Sequence, residues 1–142
     1  MAVLSITEAS VDWVSGTAPR RVTAGATITR GQVVFRDSAD GEYKLADADD
    51  ATKDADLAIA LTDGFDGAPM LVAEDGAVIN IGATTVAGTA YALSSSTATG
   101  GAAGGVSPIA DLGSGDNPRP LFVGSGTGQV TLAIDENGAA IP

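Results

Sequence analysis

One pattern of short apolar strands and glycine turns is written twice in this chain. That doubling limits the fold more than any single motif. Val22-Thr23-Ala24-Gly25 returns as Thr85-Val86-Ala87-Gly88, and Leu45-Ala46-Asp47 returns as Ile109-Ala110-Asp111. Ala58-Ile59-Ala60-Leu61-Thr62-Asp63-Gly64 returns as Pro120-Leu121-Phe122-Val123-Gly124-Ser125-Gly126. Glu74-Asp75-Gly76-Ala77-Val78-Ile79 returns as Glu136-Asn137-Gly138-Ala139-Ala140-Ile141. The blocks keep their order at offsets of 62 to 64 residues. The expectation is two copies of one β unit of about 63 residues, over 22–81 and 85–141. Such a unit describes a scaffold rather than a reaction centre.

The local signals agree with β structure. Asp40-Gly41 and Asp75-Gly76 are each flanked by apolar runs, and Asn137-Gly138 adds a third pair. These dipeptides supply the positive φ angles of tight hairpins. Val130, Leu132 and Ile134 alternate with Thr131, Ala133 and Asp135, the period of a half-buried strand. Leu57, Ile59 and Leu61 alternate instead with Ala58 and Ala60. That strand is expected to be packed on both sides, with room for only small side chains on one of them. Tyr91 and Leu93 mark a further strand. The one helix candidate, Asp47 to Asp56, has no apolar stripe, so an acidic loop with at most one helical turn is expected. Residues 94–105 are rich in Ser, Ala and Gly and read as a mobile loop.

The resulting fold class is all-β. It is a small barrel or sandwich with long Gly-rich loops, an extended N-terminal segment and at most one short helix. With 142 residues, one domain is expected over 20–142. Residues 1–19 fall outside the doubled pattern and are either an arm or the first strand. They carry the one Trp, Trp13. The chain is 44% hydrophobic but only 4% aromatic, so its core is thin. Self-association or a partner is expected to add burial.

The formal charge of −11 disfavours nucleic acid and anionic membranes as direct partners. Four of the seven bases, Arg20, Arg21, Arg30 and Arg36, lie within 17 residues. They are either a local basic face or scattered strand residues. There is no Cys and no His, which removes thiolate chemistry and the commonest general base near neutral pH. Met1–Glu8 lacks the basic region and apolar core of a secretion signal, and no apolar run approaches a membrane span. The expectation is a protein made in the cytoplasm.

Searches for chemistry fail on spacing. Counted from Asp47, an EF-hand loop would need Gly at its sixth position and Glu at its twelfth, where Thr52 and Ala58 stand. A solvated acidic loop is the expected state of Asp47–Asp56. Gly100–Gly105 has no following Lys-Ser or Lys-Thr pair, and Gly124–Gly128 leads into a strand, so neither cradles phosphate. No Gly-x-Ser-x-Gly elbow exists. No enzyme activity, cofactor or metal is expected.

From Ala24 to Phe35 (Ala-Gly-Ala-Thr-Ile-Thr-Arg-Gly-Gln-Val-Val-Phe) the chain resembles the small capsid decoration, or cement, proteins of tailed bacteriophages. The resemblance continues through Tyr43–Asp49, Ala58–Leu61, Ala87–Ser94 and Val106–Asp111, and spans roughly residues 20–135. It implies a β-tulip-like module on the outer face of an icosahedral head. It also implies a homotrimer that clamps neighbouring major capsid proteins, and a place in the virion rather than the cytoplasm. The family has no catalytic residues to carry over. On this reading the N-terminal segment, with Leu4, Ile6, Trp13 and Val14, reaches the capsid and adds a strand to it. Arg20 and Arg21 stand at its root, facing capsid carboxylates. The acidic and Gly-rich loops face solvent or a neighbouring subunit. The alternatives are a β-rich module that binds glycan or receptor on a phage surface structure, and a small barrel within a larger enzyme.

Overall fold

The computed structural model describes residues 3–96 and 101–137. Among them the chain is all-β, with two single 3₁₀ turns at Glu8–Ser10 and Ile109–Asp111. The strands are β1 (Asp12–Gly16), β2 (Arg20–Thr23), β3 (Val33–Arg36), β4 (Tyr43–Leu45), β5 (Leu57–Ala60) and β6 (Pro69–Ala73). They continue with β7 (Ala77–Asn80), β8 (Ala90–Leu93), β9 (Val106–Pro108), β10 (Pro120–Val123) and β11 (Gln129–Thr131). Three antiparallel sheets result, ordered β2-β6-β5-β3-β4, β1-β7-β11 and β10-β8-β9.

The five-stranded sheet curls onto itself. Ala24, just past β2, forms a parallel bridge with Tyr43 at the start of β4, and the Gly25 N–H donates to the Tyr43 carbonyl at 2.7 Å. Ile28 and Gly64 exchange two further bonds, at 2.9 and 2.8 Å. The product is a small barrel filled by Ala24, Ile28, Val34, Tyr43, Ala58, Ala60, Met70 and Val72. Barrel diameter falls with strand number, so five strands leave a narrow lumen. This is why β5 alternates as it does. Ala58 and Ala60 point into the lumen cluster, while Leu57 and Ile59 join a larger core outside it. All four residues are buried, as expected from the sequence.

The larger core lies between the barrel's outer face and the other two sheets. Val33, Phe35, Leu57 and Ile59 meet Ile79, Leu93, Val106, Leu121 and Val130 there. The rings of Tyr91 and Phe122 stack at 5.3 Å with 27° between planes. Beyond β11 the ladder continues: the Leu132 N–H donates to Ala77 and the Ala133 N–H to Leu121. Val130 and Leu132 are buried and Ile134 is half-buried, so the expected alternation holds.

Several expectations change. Asp40-Gly41 does turn a hairpin, between the paired strands β3 and β4. A Lys44 ammonium fastens it, 2.8 Å from Asp37 and 3.0 Å from Asp40. That contact pulls the Lys44 pKa up and holds Asp37 below its usual value, while Asp40 is lowered first by the Glu42 backbone N–H and then by Lys44. Asp75-Gly76, by contrast, makes no hairpin. β6 pairs with β2 and β5, whereas β7 pairs with β1 and β11, so the turn is a corner between sheets. Its backbone is engaged elsewhere: the Gly76 N–H donates to Leu132, and its carbonyl accepts from Thr17. The expected Asn137-Gly138 turn lies partly outside the described residues.

The doubled pattern maps unevenly. The order β4-β3-β5 recurs as β9-β8-β10, each triplet with its earliest strand in the middle. Ala58–Leu61 and Pro120–Val123 fall on the matching strands β5 and β10. Val22-Thr23, however, belongs to β2, while Thr85–Gly88 is a loop. Leu45 ends β4, while Ile109–Asp111 is a 3₁₀ turn. Gly31 and Gly88 are the structurally matched turn residues, each with positive φ and each two positions before its strand. Gly138–Ile141 lies outside the described residues.

The N-terminal segment is tied to the body. The Leu4 N–H donates to Val106 and the Thr7 N–H to Gly82, both at 2.7 Å, and Val11 is buried. It therefore runs as a strap from β9 to the end of β7 and then becomes β1. Gly82 seats it: φ is +76°, and a Cβ there would lie 2.5 Å from the Thr7 carbonyl oxygen. Gly82→Ala is expected to cost about 2 kcal/mol from the left-handed backbone alone. Urea denaturation should show that loss, and limited proteolysis should cut within residues 3–10. Unchanged stability and unchanged cleavage would remove Gly82 as the seat.

Candidate functional site

The six predicted contact residues separate into three groups. Leu4 and Ile6 are half-buried and pack against the chain's own main core. The strap's hydrogen bonds hold them there, so both contribute to the fold itself. Trp13 and Val14 stay exposed, at 37% and 45%. Among the described residues β1 pairs only with β7, which leaves its other edge open. The register shifts between Trp13 and Ser15, a bulge that lets two consecutive side chains face outward. The Trp13 indole N–H is engaged, donating to the Thr17 carbonyl at 2.9 Å.

Arg20 and Arg21 are neighbours on β2, so their side chains leave opposite faces. Arg21 lines a shallow cleft with Thr62, Pro69, Met70 and Leu71. Arg20 reaches Glu74 at 3.4 Å and lines a different cavity together with Arg36. Arg30 lies beside the strap, near Ile6 and Glu8. The four arginines thus make no single basic face, and only Arg20 and Arg36 share a site.

That site is the mouth of the small barrel. A cavity of about 290 Å³ is lined by Arg20, Arg36, Tyr43, Asp56, Leu57 and Glu74. Arg20 opens β2, Arg36 closes β3, Tyr43 opens β4, Leu57 opens β5 and Glu74 follows β6. Barrel closure is therefore what gathers them. The Tyr43 ring belongs to the lumen cluster, and burial pushes its phenol pKa above the usual value. The Arg36 N–H donates to the Asp56 carbonyl at 3.2 Å, which places the two residues side by side across β3 and β5. Asp56 has φ +52°, the one non-glycine in the left-handed region among the described residues. Sequence reasoning missed this constellation because its members are far apart in the chain. The nearest signal was that each polar residue sits at a strand end.

The acidic loop is not solvated throughout, which corrects another expectation. Asp47 is buried and accepts from the backbone N–H groups of Asp49 and Ser96, at 3.0 and 3.1 Å, and from the Ser96 hydroxyl. Asp54 is buried 3.3 Å from Arg119, whose Nε donates to the Asp54 carbonyl at 2.9 Å. The Asn117 N–H donates to Ala48 at 2.8 Å. Two of the acids thus bind the loop to the second half of the chain. Among the described residues no three acids converge as a metal site would require. The low-complexity segment is also partly tied down. Ser94 and Ser95 are buried, and Gly104 donates to Ala46 and accepts from Val33. Residues 97–100 lie outside the described set.

No family model matches the chain, and neither a curated protein nor a solved structure matches it.

Proposed function

We propose that this chain is a structural protein of a tailed-phage virion, which decorates the outer capsid surface and bridges major capsid proteins as a homotrimer. The sequence resemblance motivates the reading, and one structural observation carries it. An open edge strand, β1, presents two large apolar side chains, Trp13 and Val14, to the outside. Edge strands invite pairing with another chain, and aromatic anchors dominate the binding energy of interfaces. The contact set centres on Trp13 and Val14, with Arg20 and Arg21 following in the chain on β2. The strap residues Leu4 and Ile6 drop out.

The test is co-sedimentation with empty capsids before and after expansion. Binding to expanded shells is expected, with Trp13→Ala weakening it by about tenfold or more. Light scattering of the free protein is expected to report a trimer. Failure to bind either form of shell would sink the proposal. Full binding by a Trp13→Ala, Val14→Ser double variant would move the contact away from β1.

A further inference from the structure

The barrel mouth contains hydrogen-bond donors that the fold leaves unmatched. Arg36 makes no ion pair and no side-chain hydrogen bond among the described residues, and its nearest acidic neighbour across the ladder is Asp56. Cross-strand neighbours of opposite charge ordinarily pair. Here the left-handed backbone of Asp56 accompanies their separation. Backbone strain of this kind costs free energy and gathers at ligand clamps. Tyr43 is only 5% exposed, and its hydroxyl has no hydrogen-bond partner among the described residues. Among the described residues that oxygen is not one of the polar atoms sealed from solvent without a hydrogen bond. The hydroxyl therefore opens to the cavity that Tyr43 lines.

We propose that the barrel mouth is a carboxylate-binding site, in which the Arg36 guanidinium and the Tyr43 hydroxyl donate to one carboxylate group of another molecule. A planar guanidinium matches a carboxylate in two parallel bonds, and charge-assisted bonds are the stronger kind. The phenol adds a neutral donor held rigidly by the barrel wall. Arg20 is already engaged by Glu74, through one 3.4 Å contact, and supplies a second positive charge on the rim. Two arginines and two acids balance at the mouth, while the chain as a whole carries −11. An acid is thus repelled less here than over the rest of the surface. A cavity of about 290 Å³ accepts a group from the size of acetate to that of a glutamate side chain. Two sources share this chemistry: a free small acid and an acidic side chain of a polypeptide. The inference does not depend on a capsid role, because the cavity has this chemistry wherever the chain sits.

The test is an NMR titration of the full chain, following the Arg36 Nε–H and the Tyr43 ring. The probes are acetate, the capped tripeptide Ac-Ala-Glu-Ala-amide and its Gln counterpart. Saturable shifts are expected with acetate and the Glu peptide, with a Kd of about 10 mM or tighter. The Gln peptide should leave both signals in place. Arg36→Met should abolish binding, and Tyr43→Phe should weaken it by about threefold to tenfold. Arg30→Met lies outside the mouth and should bind like the parent chain. A Glu peptide that binds more tightly than acetate identifies a polypeptide source, and equal affinity identifies a free acid. No saturable shift, equal response to the Gln peptide, or undiminished binding by a folded Arg36→Met variant would overturn the proposal.

Discussion

Replacing Ile59 by Ala is expected to lower the unfolding free energy by about 4 kcal/mol, the range for deleting a large aliphatic side chain from a core that cannot collapse. Ile59 is fully buried at the centre of β5, where the barrel wall meets the two other sheets. Its two backbone neighbours are equally constrained on the opposite face. Ala58 and Ala60 are 1% and 0% exposed inside the lumen, against Val34, Met70 and Val72. Ala60→Leu adds three carbons where five strands leave no space, and is expected to cost about 3 kcal/mol by overpacking. Domains of this size are stable by only about 5–15 kcal/mol, so either variant is a severe loss. Urea denaturation followed by tryptophan fluorescence measures both, with Ile59→Val as a mild control near 1 kcal/mol. If Ala60→Leu were as stable as the parent, the lumen would have room that the alanines do not suggest, and the closed barrel would be the wrong description.

That pair of residues also shows how much of the fold could be read in advance. Period-two alternation with alanine on one side announced a strand buried on both faces, because the physics is local: adjacent side chains leave opposite faces of the strand. The same reasoning located the Asp40-Gly41 hairpin. It failed at Asp75-Gly76, where the dipeptide supplies the same backbone angles but the flanking strands choose other partners. A turn residue fixes φ and ψ; it does not fix which sheet the next strand joins. The course of the strap was not legible for a related reason. Val3, Leu4 and Ile6 look like any extended apolar segment, and only the edge of β9 and the seat at Gly82 make them part of the body.

The candidate site was less legible than the fold. Arg20 and Arg36 stood out as bases close in sequence, but Arg21 and Arg30 stood out equally and lead elsewhere. Tyr43, Asp56 and Glu74 gave no signal, since each is an ordinary residue at a strand end. Their meeting follows from the strand order β2-β6-β5-β3-β4 and from closure of that sheet at Ala24–Tyr43 and Ile28–Gly64, long-range pairings with no sequence signature. The acidic loop erred in the other direction. A run of aspartates reads as solvated, yet Asp47 and Asp54 turn inward because Ser96 and Arg119, distant in sequence, meet them there.

Arg119→Met is expected to destabilise the chain by about 3 kcal/mol at neutral pH, because it leaves a buried carboxylate without its cation. The side chains of Arg119 and Asp54 are 10% and 4% exposed. Burial already pushes the Asp54 pKa above the usual carboxylate value, against the opposing pull of Arg119 and a hydrogen bond from Asn117. An acid with a raised folded pKa binds its proton more tightly in the folded state than in the unfolded chain. Its ionisation therefore removes stability as pH rises from the unfolded pKa through the folded one. Without Arg119 the folded pKa climbs further, so the loss at neutral pH grows. Below about pH 4 the carboxyl is protonated in both states, and that part of the deficit disappears. The deficit of Arg119→Met relative to the parent should thus shrink on acidification. An Asp54→Asn, Arg119→Met double variant should show a smaller deficit that does not change with pH. Paired urea curves at neutral and mildly acid pH measure both. A deficit of equal size at the two pH values would mean that Asp54 is not stranded by the loss of Arg119, and that the cost lies instead in the backbone carbonyls of Asp54 and Pro118 that Arg119 also holds.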